Sequence, residues 1–234
     1  MISRRLKATF YTLCGPVMRA NAWRHRNFAA RRDAPVRAHL GPGQKNYLPG
    51  WVNVDANFLT AKIDVWANLA DGLPFPDASV DAFYSHHVIE HLPDLATHFR
   101  ELSRCLKPGG VFRVGGPHGD MAMRKYVEGA SAWFSDFPDK RESLGGRLEN
   151  YIFCRGEHLT ILTPSFLQEL ATQAGLGLLT VVRPKTETQH PEHFGPEVLG
   201  LEWETTPDAP HTLMFDSSCS PATRSRTSRA RSRS

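Results

Sequence analysis

Three of the chain's eleven histidines fall in one short run, His86-His87-Val88-Ile89-Glu90-His91. Imidazole is the side chain best placed to move protons near neutral pH and is also a common metal ligand. His87 to His91 spells H-x-x-E-H. On a helix the two histidines would share a face and ligate zinc, with Glu90 acting on a bound water. Pro93 follows at once, so a helix there has room for about one turn, and no distal third ligand stands out. No metal is expected. His87, His118 and His158 remain as general bases for an acceptor that must lose a proton. His87 and His118 are the catalytic candidates, the latter in Gly115-Gly116-Pro117-His118 at the end of an apolar run. A different chemistry is available at Gly41-Pro42-Gly43 and Asp55. Glycine lets backbone approach a ligand without a Cβ in the way, and a carboxylate at a strand end can accept both hydroxyls of a ribose.

These groups need a scaffold, and the hydrophobic pattern supplies one. Strands are expected at 36–40, 51–55, 63–66, 80–84, 111–114, 178–182 and 213–215. Leu95, Phe99, Leu102 and Leu106 make one apolar stripe of a helix from about Asp94, which Lys107-Pro108-Gly109-Gly110 should end. Thr163-Pro164 opens another helix that runs to Ala174. Strands alternating with helices imply a mainly parallel sheet whose ligands bind at the carboxyl ends of the strands. Residues 118–160 read as an irregular cover over that end. Trp133, Phe134, Phe137 and Tyr151 would supply an aromatic lid there.

The run Leu73-Pro74-Phe75-Pro76-Asp77-Ala78-Ser79-Val80-Asp81, the segment Ser85 to Leu92, the helix ending in Leu106-Lys107-Pro108-Gly109-Gly110, the glycine loop and Asp55 occur in that order. Together they resemble class I S-adenosylmethionine-dependent methyltransferases of the methyltransferase type 11 group. The resemblance implies an α/β, Rossmann-like, mostly parallel sheet with helices on both faces, in a single domain. It implies S-adenosylmethionine as cofactor. Gly41 and Gly43 would face its methionine part, Asp55 its ribose, Asn68 and Leu69 its adenine, and Ser85 and His86 would floor the site beneath the sulfonium. Asn68 stands where an acid is usual, and its amide would accept from the adenine amino group. Pro42 offers no N–H. Only fourteen residues separate Gly41 from Asp55, which leaves a shortened first helix. A subgroup associated with polysaccharide assembly shares this shortened Leu-Pro-Gly-Trp-x-Asn-Val-Asp connection.

Charge divides the chain into a body and two ends. Residues 1–37 hold nine of the 28 bases and one acid, and residues 224–234 hold five bases and none. The body keeps 14 bases against 23 acids, so the core carries no strong nucleic-acid signal. The expected organisation is a basic N-terminal extension over 1–34, a methyltransferase domain over 35–216, and a disordered Ser/Arg-rich tail over 217–234. Residues 1–32 alternate bases with apolar residues and suit peripheral contact with an anionic membrane. Four scattered cysteines without a C-x-x-C pair fit a reducing, cytoplasmic setting. The expected function is methyl transfer to a small-molecule or glycan acceptor. A cofactor-fold binding protein without turnover, and an RNA or protein methyltransferase, are the alternatives.

Overall fold

The computed structural model describes residues 4–28, 34–206 and 208–219. Seven strands form one sheet: β1 (Arg37–Leu40), β2 (Val52–Asp55), β3 (Val65–Trp66), β4 (Val80–His86), β5 (Leu106–Pro117), β6 (Thr180–Val182) and β7 (Thr212–Ser218). Their order is β3-β2-β1-β4-β5-β7-β6. β1 to β5 pair in parallel, and β7 runs antiparallel to β5 and β6. The fold is therefore the expected Rossmann-like one, with a single antiparallel strand inserted near one edge.

Among the described residues six α-helices accompany the sheet: α1 (Arg4–Phe28), α2 (Leu95–Cys105), α3 (Gly119–Val127), α4 (Leu144–Phe153), α5 (Pro164–Gln173) and α6 (Pro196–Leu199). β4 is buried along most of its length because it is central and both its faces are covered. On one face Leu40, Phe83 and Phe112 pack with Phe99 and Leu102 of α2 and Leu167 of α5. On the other, Tyr84 and Val111 pack with Trp51, Phe194 and Val198. Asp94 caps α2 by accepting from Thr97 N, and Thr163 caps α5 by accepting from Phe166 N.

Several expectations change. Helix α2 ends at Cys105, just before Lys107-Pro108-Gly109-Gly110 as expected, but those four residues themselves lie within β5. Gly110 sits there because a Cβ would meet the carbonyl oxygens of Lys107 and Val80 at 3.0 Å. Residues 118–160 contain α3 and α4. The expected tail boundary at 217 moves outward: Ser217 is buried and pairs with Phe112, and Cys219 bridges to Leu176. The remainder of that tail lies outside the described residues.

The largest change concerns the N-terminal segment. α1 is seated on the sheet edge beside β3. Gly15, Met18 and Ala22 form its inward side, and Met18 is fully buried. Asn21 Nδ2 donates to Trp66 O at 2.8 Å, and Arg26 donates to Leu73 O at 2.5 Å. These side chains satisfy carbonyls of the body, so residue 34 is not a boundary between an extension and a fold.

Candidate active site

The direction of chain winding reverses between β1 and β4, and an open α/β sheet leaves a crevice at such a point. A cavity of about 460 Å³ occupies it, a size within the ordinary range for a small ligand. It is lined by Gly41, Gly43, Asp55, Asn68, Leu69 and His87, among others. The first five are among the seven residues assigned above to the cofactor, and the structure brings these five together.

Each is positioned by local structure. Gly41 has φ +72°, and a Cβ there would sit 2.3 Å from Val88 Cγ2. Only glycine fits that turn. Gly43 has φ +57° and faces open space. Its N–H donates to Asp55 Oδ2 at 3.0 Å, while Asn57 N donates to Oδ1 at 2.9 Å. The carboxylate is thereby aimed, and each oxygen keeps lone-pair capacity for a hydroxyl. Pro42 does not spoil the loop, because its carbonyl accepts from Asn46 N. No helix forms between β1 and β2. Instead the buried Asn53 amide closes the short connection, donating to Leu48 O and Trp51 O and accepting from Leu48 N. Asn68 Oδ1 accepts from Ala70 N and caps a 3-10 turn over Leu69–Asp71. The N–H₂ donor and the second lone pair of Oδ1 remain for a ligand, so the expected acceptor is partly committed to this cap.

Ser85, His86 and His118 do not line this cavity. Ser85 and His86 are the last two residues of β4. Burial first, and then the charges of His87 and Arg113, push the His86 imidazole down to about 2, so this ring stays neutral. His118 is the N-cap of α3, its Nδ1 accepting from Met121 N at 3.3 Å, and burial lowers its pKa. It lines neither cavity described here, which turns a catalytic candidate into a capping residue. Sequence reasoning missed Tyr11, which reaches the cavity from α1. Burial and the nearby Asp55, Asp71 and Glu157 raise its phenol pKa. The only sequence signal for Tyr11 was its place on a helix read as peripheral.

A second cavity of about 230 Å³ adjoins the first through His87, which lines both. Its walls include Phe137, Asn150, Tyr151, His158 and His211. Of the expected aromatic lid, Phe137 and Tyr151 take part. Phe134 is buried in a cluster with Ile152, and Trp133 stacks on His211 with ring centroids 4.3 Å apart. His87 has φ +56°, and this left-handed residue turns the chain off β4. Its Nδ1 lies 3.0 Å from Glu90 Oε1 and its Nε2 3.2 Å from Thr212 Oγ1. Burial would raise the Glu90 carboxyl, but the bond from His87 and the imidazoles of His87 and His91 hold it below its ordinary value. His211 is the opposite case. Burial would lower its pKa, but the hydrogen bonds to Glu204 and to Trp133 O raise it.

His87 and His91 do not share a helical face. The segment forms only a 3-10 turn over Ile89–His91, so the protease-like arrangement of H-x-x-E-H is absent. What the structure does bring to Glu90 and His91 is His158, from the loop after α4.

Residues 51–114, which contribute Asp55, Asn68, Leu69 and His87 to the cleft, match the family described as a methyltransferase domain. A probable S-adenosylmethionine-dependent methyltransferase of Mycolicibacterium smegmatis is 55% identical over 51 residues, which are 22% of this chain and 20% of that protein. A dimethylglycine N-methyltransferase of Parasynechococcus marenigrum is 37% identical over 87 residues, 37% of this chain and 31% of that one. The chain thus spans about a fifth to a third of the length of these curated relatives. Among solved structures, an S-adenosylmethionine-dependent methyltransferase from Mesorhizobium loti superposes with a TM-score of 0.47 at 18% identity, over 88% of this chain and 97% of that one. The matched segment, residues 51–114, is thus similar to a methyltransferase domain.

Proposed function

We propose that the protein is an S-adenosylmethionine-dependent methyltransferase that acts on a small hydroxyl-bearing acceptor, a sugar or glycan unit among them. The observation that carries this reading is one cleft with an adjoining pocket. Gly41, Gly43 and Asp55 meet at the strand reversal, and His87 leads from there into a second, mainly apolar cavity. The glycine turn and the aimed carboxylate fit the methionine and ribose parts of the cofactor. When bound, S-adenosylmethionine supplies a methyl group on a positively charged sulfur.

The chain's own contribution is placement and exclusion of water. Asp55 holds hydroxyls, and the Leu69 region covers an apolar ring. Tyr11 closes one side, and the Phe137 and Tyr151 side chains wall off the acceptor. His87, held between Glu90 and Thr212, is the group placed to take a proton from an acceptor hydroxyl. The shortened β1–β2 connection is the feature that favours a sugar or glycan acceptor, and the aromatic rings of Phe137, Tyr151 and Trp203 in the second cavity offer faces on which a sugar ring can pack. Calorimetric titration with S-adenosylmethionine and its demethylated product tests the cofactor. Transfer of labelled methyl to a panel of sugars and amines tests the acceptor. Transfer to amines alone would overturn the hydroxyl assignment.

A peripheral membrane role for residues 1–32 has separate support in α1. Leu6, Leu13, Val17 and Phe28 share its outward side and are 60%, 71%, 55% and 69% exposed, with basic Arg24 among them. No helix among the described residues is long and apolar enough to cross a membrane. Such a face can lie on an anionic surface while the inward face stays docked. Co-sedimentation with anionic vesicles should therefore fall as salt rises and on Leu13→Glu. Sedimentation unaffected by either change would end this reading.

A further inference from the structure

We propose that Glu90, His91 and His158 form a binding site for one divalent transition-metal ion. One carboxylate oxygen and one ring nitrogen from each histidine lie within 4.8 Å of one another. The rings of His91 and His158 stand 5.0 Å apart, centroid to centroid, at 65°. His91 Nε2 is 3.9 Å from Glu90 Oε1.

The histidines are set up for this task. His91 Nδ1 lies 2.9 Å from Glu157 O, and His158 Nδ1 lies 3.1 Å from Ile152 O. A carbonyl oxygen only accepts, so each Nδ1 carries the proton in the neutral ring. That fixes the tautomer and leaves Nε2 as a lone-pair donor, the arrangement usual behind a metal-ligating histidine. Glu90 supplies a second, independent observation. Its carboxylate is fully buried, yet Oε2 has no hydrogen-bond partner. Buried carboxylate oxygens ordinarily have one. A cation held between two imidazole lone pairs and a buried carboxylate would offset the repulsion among them. His87, bonded to Oε1, orients the carboxylate from behind.

The donor set chooses the ion. Two imidazoles and one carboxylate suit Zn²⁺, Fe²⁺ or a similar borderline ion better than Mg²⁺ or Ca²⁺. Three protein ligands leave a coordination position open. His91 lines the first cavity and His158 the second, so the open position lies where the two meet. An acceptor oxygen reaching it would be polarised by the ion. This last consequence rests on the methyltransferase reading above, whereas ion binding itself does not. The site reverses the expectation of no metal, because the missing distal ligand, His158, comes from far along the chain.

The test uses the full chain, stripped with chelator and dialysed. Zn²⁺ is titrated calorimetrically, and Co²⁺ is titrated with its visible absorption bands as the readout. The expected result is one equivalent bound, with affinity falling at least about tenfold in His158→Ala, while S-adenosylmethionine affinity is unchanged. Glu90→Gln gives the same reading if His158→Ala fails to fold. No stoichiometric binding by the native chain, or native-like binding by the folded variants, would overturn the site. S-adenosylmethionine titrated in parallel separates the two claims. Its failure to bind would defeat the methyltransferase reading and leave a positive metal result standing.

Discussion

Two buried polar clusters lie at β4 and β5, and they are built differently. Arg113 on β5 is fully buried, with Glu202 at 2.5 Å and 2.9 Å and Asp216 at 2.7 Å. The acids are then satisfied from elsewhere. Lys185 N donates to Glu202, and Gln189 N and Thr188 Oγ1 donate to Asp216. Around Glu90, at the end of β4, the count does not close. Glu90 Oε2, His86 Nε2 and Ser85 Oγ are buried without partners. The first cluster binds the segment 185–204 to the sheet and has no capacity left for a ligand. The second carries spare acceptors beside two cavities. A closed polar network is architecture, and an open one is where chemistry belongs.

The sharpest way to break this comparison is Arg113→Ala. It leaves two carboxylates buried without their cation, and such a loss costs about 3–5 kcal/mol. Urea unfolding should show that drop, and a loss under about 1 kcal/mol would mean the network is not structural. Glu90→Gln should cost at most about 1 kcal/mol. Removing the buried charge offsets weakening of the charge-assisted bond to His87. A cost equal to that of Arg113→Ala would erase the distinction between the clusters.

A smaller effect comes from pH. Burial lowers His39 and His98 to about 4, against an ordinary value near 6.5. The unfolded chain then binds protons first as pH falls. Their contribution is fully present above about 6.5 and is lost progressively as pH drops toward 4. The urea midpoint should fall between pH 7.5 and pH 5. His98 has both ring nitrogens buried and unpartnered, so His98→Leu should make that fall shallower. Parallel curves for the two proteins would show that His98 does not titrate as described.

How much of this was legible in the sequence depended on the range of the interaction. Strands β1, β2, β4 and β5 and the cap residues Asp94 and Thr163 were readable because apolar period and capping chemistry are local. Gly41, Gly43 and Asp55 were readable as groups at strand ends, whereas Asn68 and Leu69 were placed beside them only by the family resemblance. α1 was misplaced because its many bases suggested solvent. Its inward side depends on body carbonyls at Trp66, Leu73 and Pro74 that no local pattern reveals. α3 and α4 were missed because glycine and proline in 115–146 broke the pattern. His118 looked catalytic from its position after Pro117, whereas its role as the cap of α3 depends on a helix that was not foreseen. His158 could be placed beside Glu90 only once the chain was folded.

The central claim is that the Gly41–Asp55 cleft holds S-adenosylmethionine. The most direct test is calorimetric titration of the native chain and of Asp55→Ala. Two charge-assisted bonds of about 1.5–3 kcal/mol each are at stake. The account predicts one equivalent bound by the native chain and at least about tenfold weaker binding by the variant. No binding by the native chain, or a change smaller than about twofold in the folded variant, would contradict it.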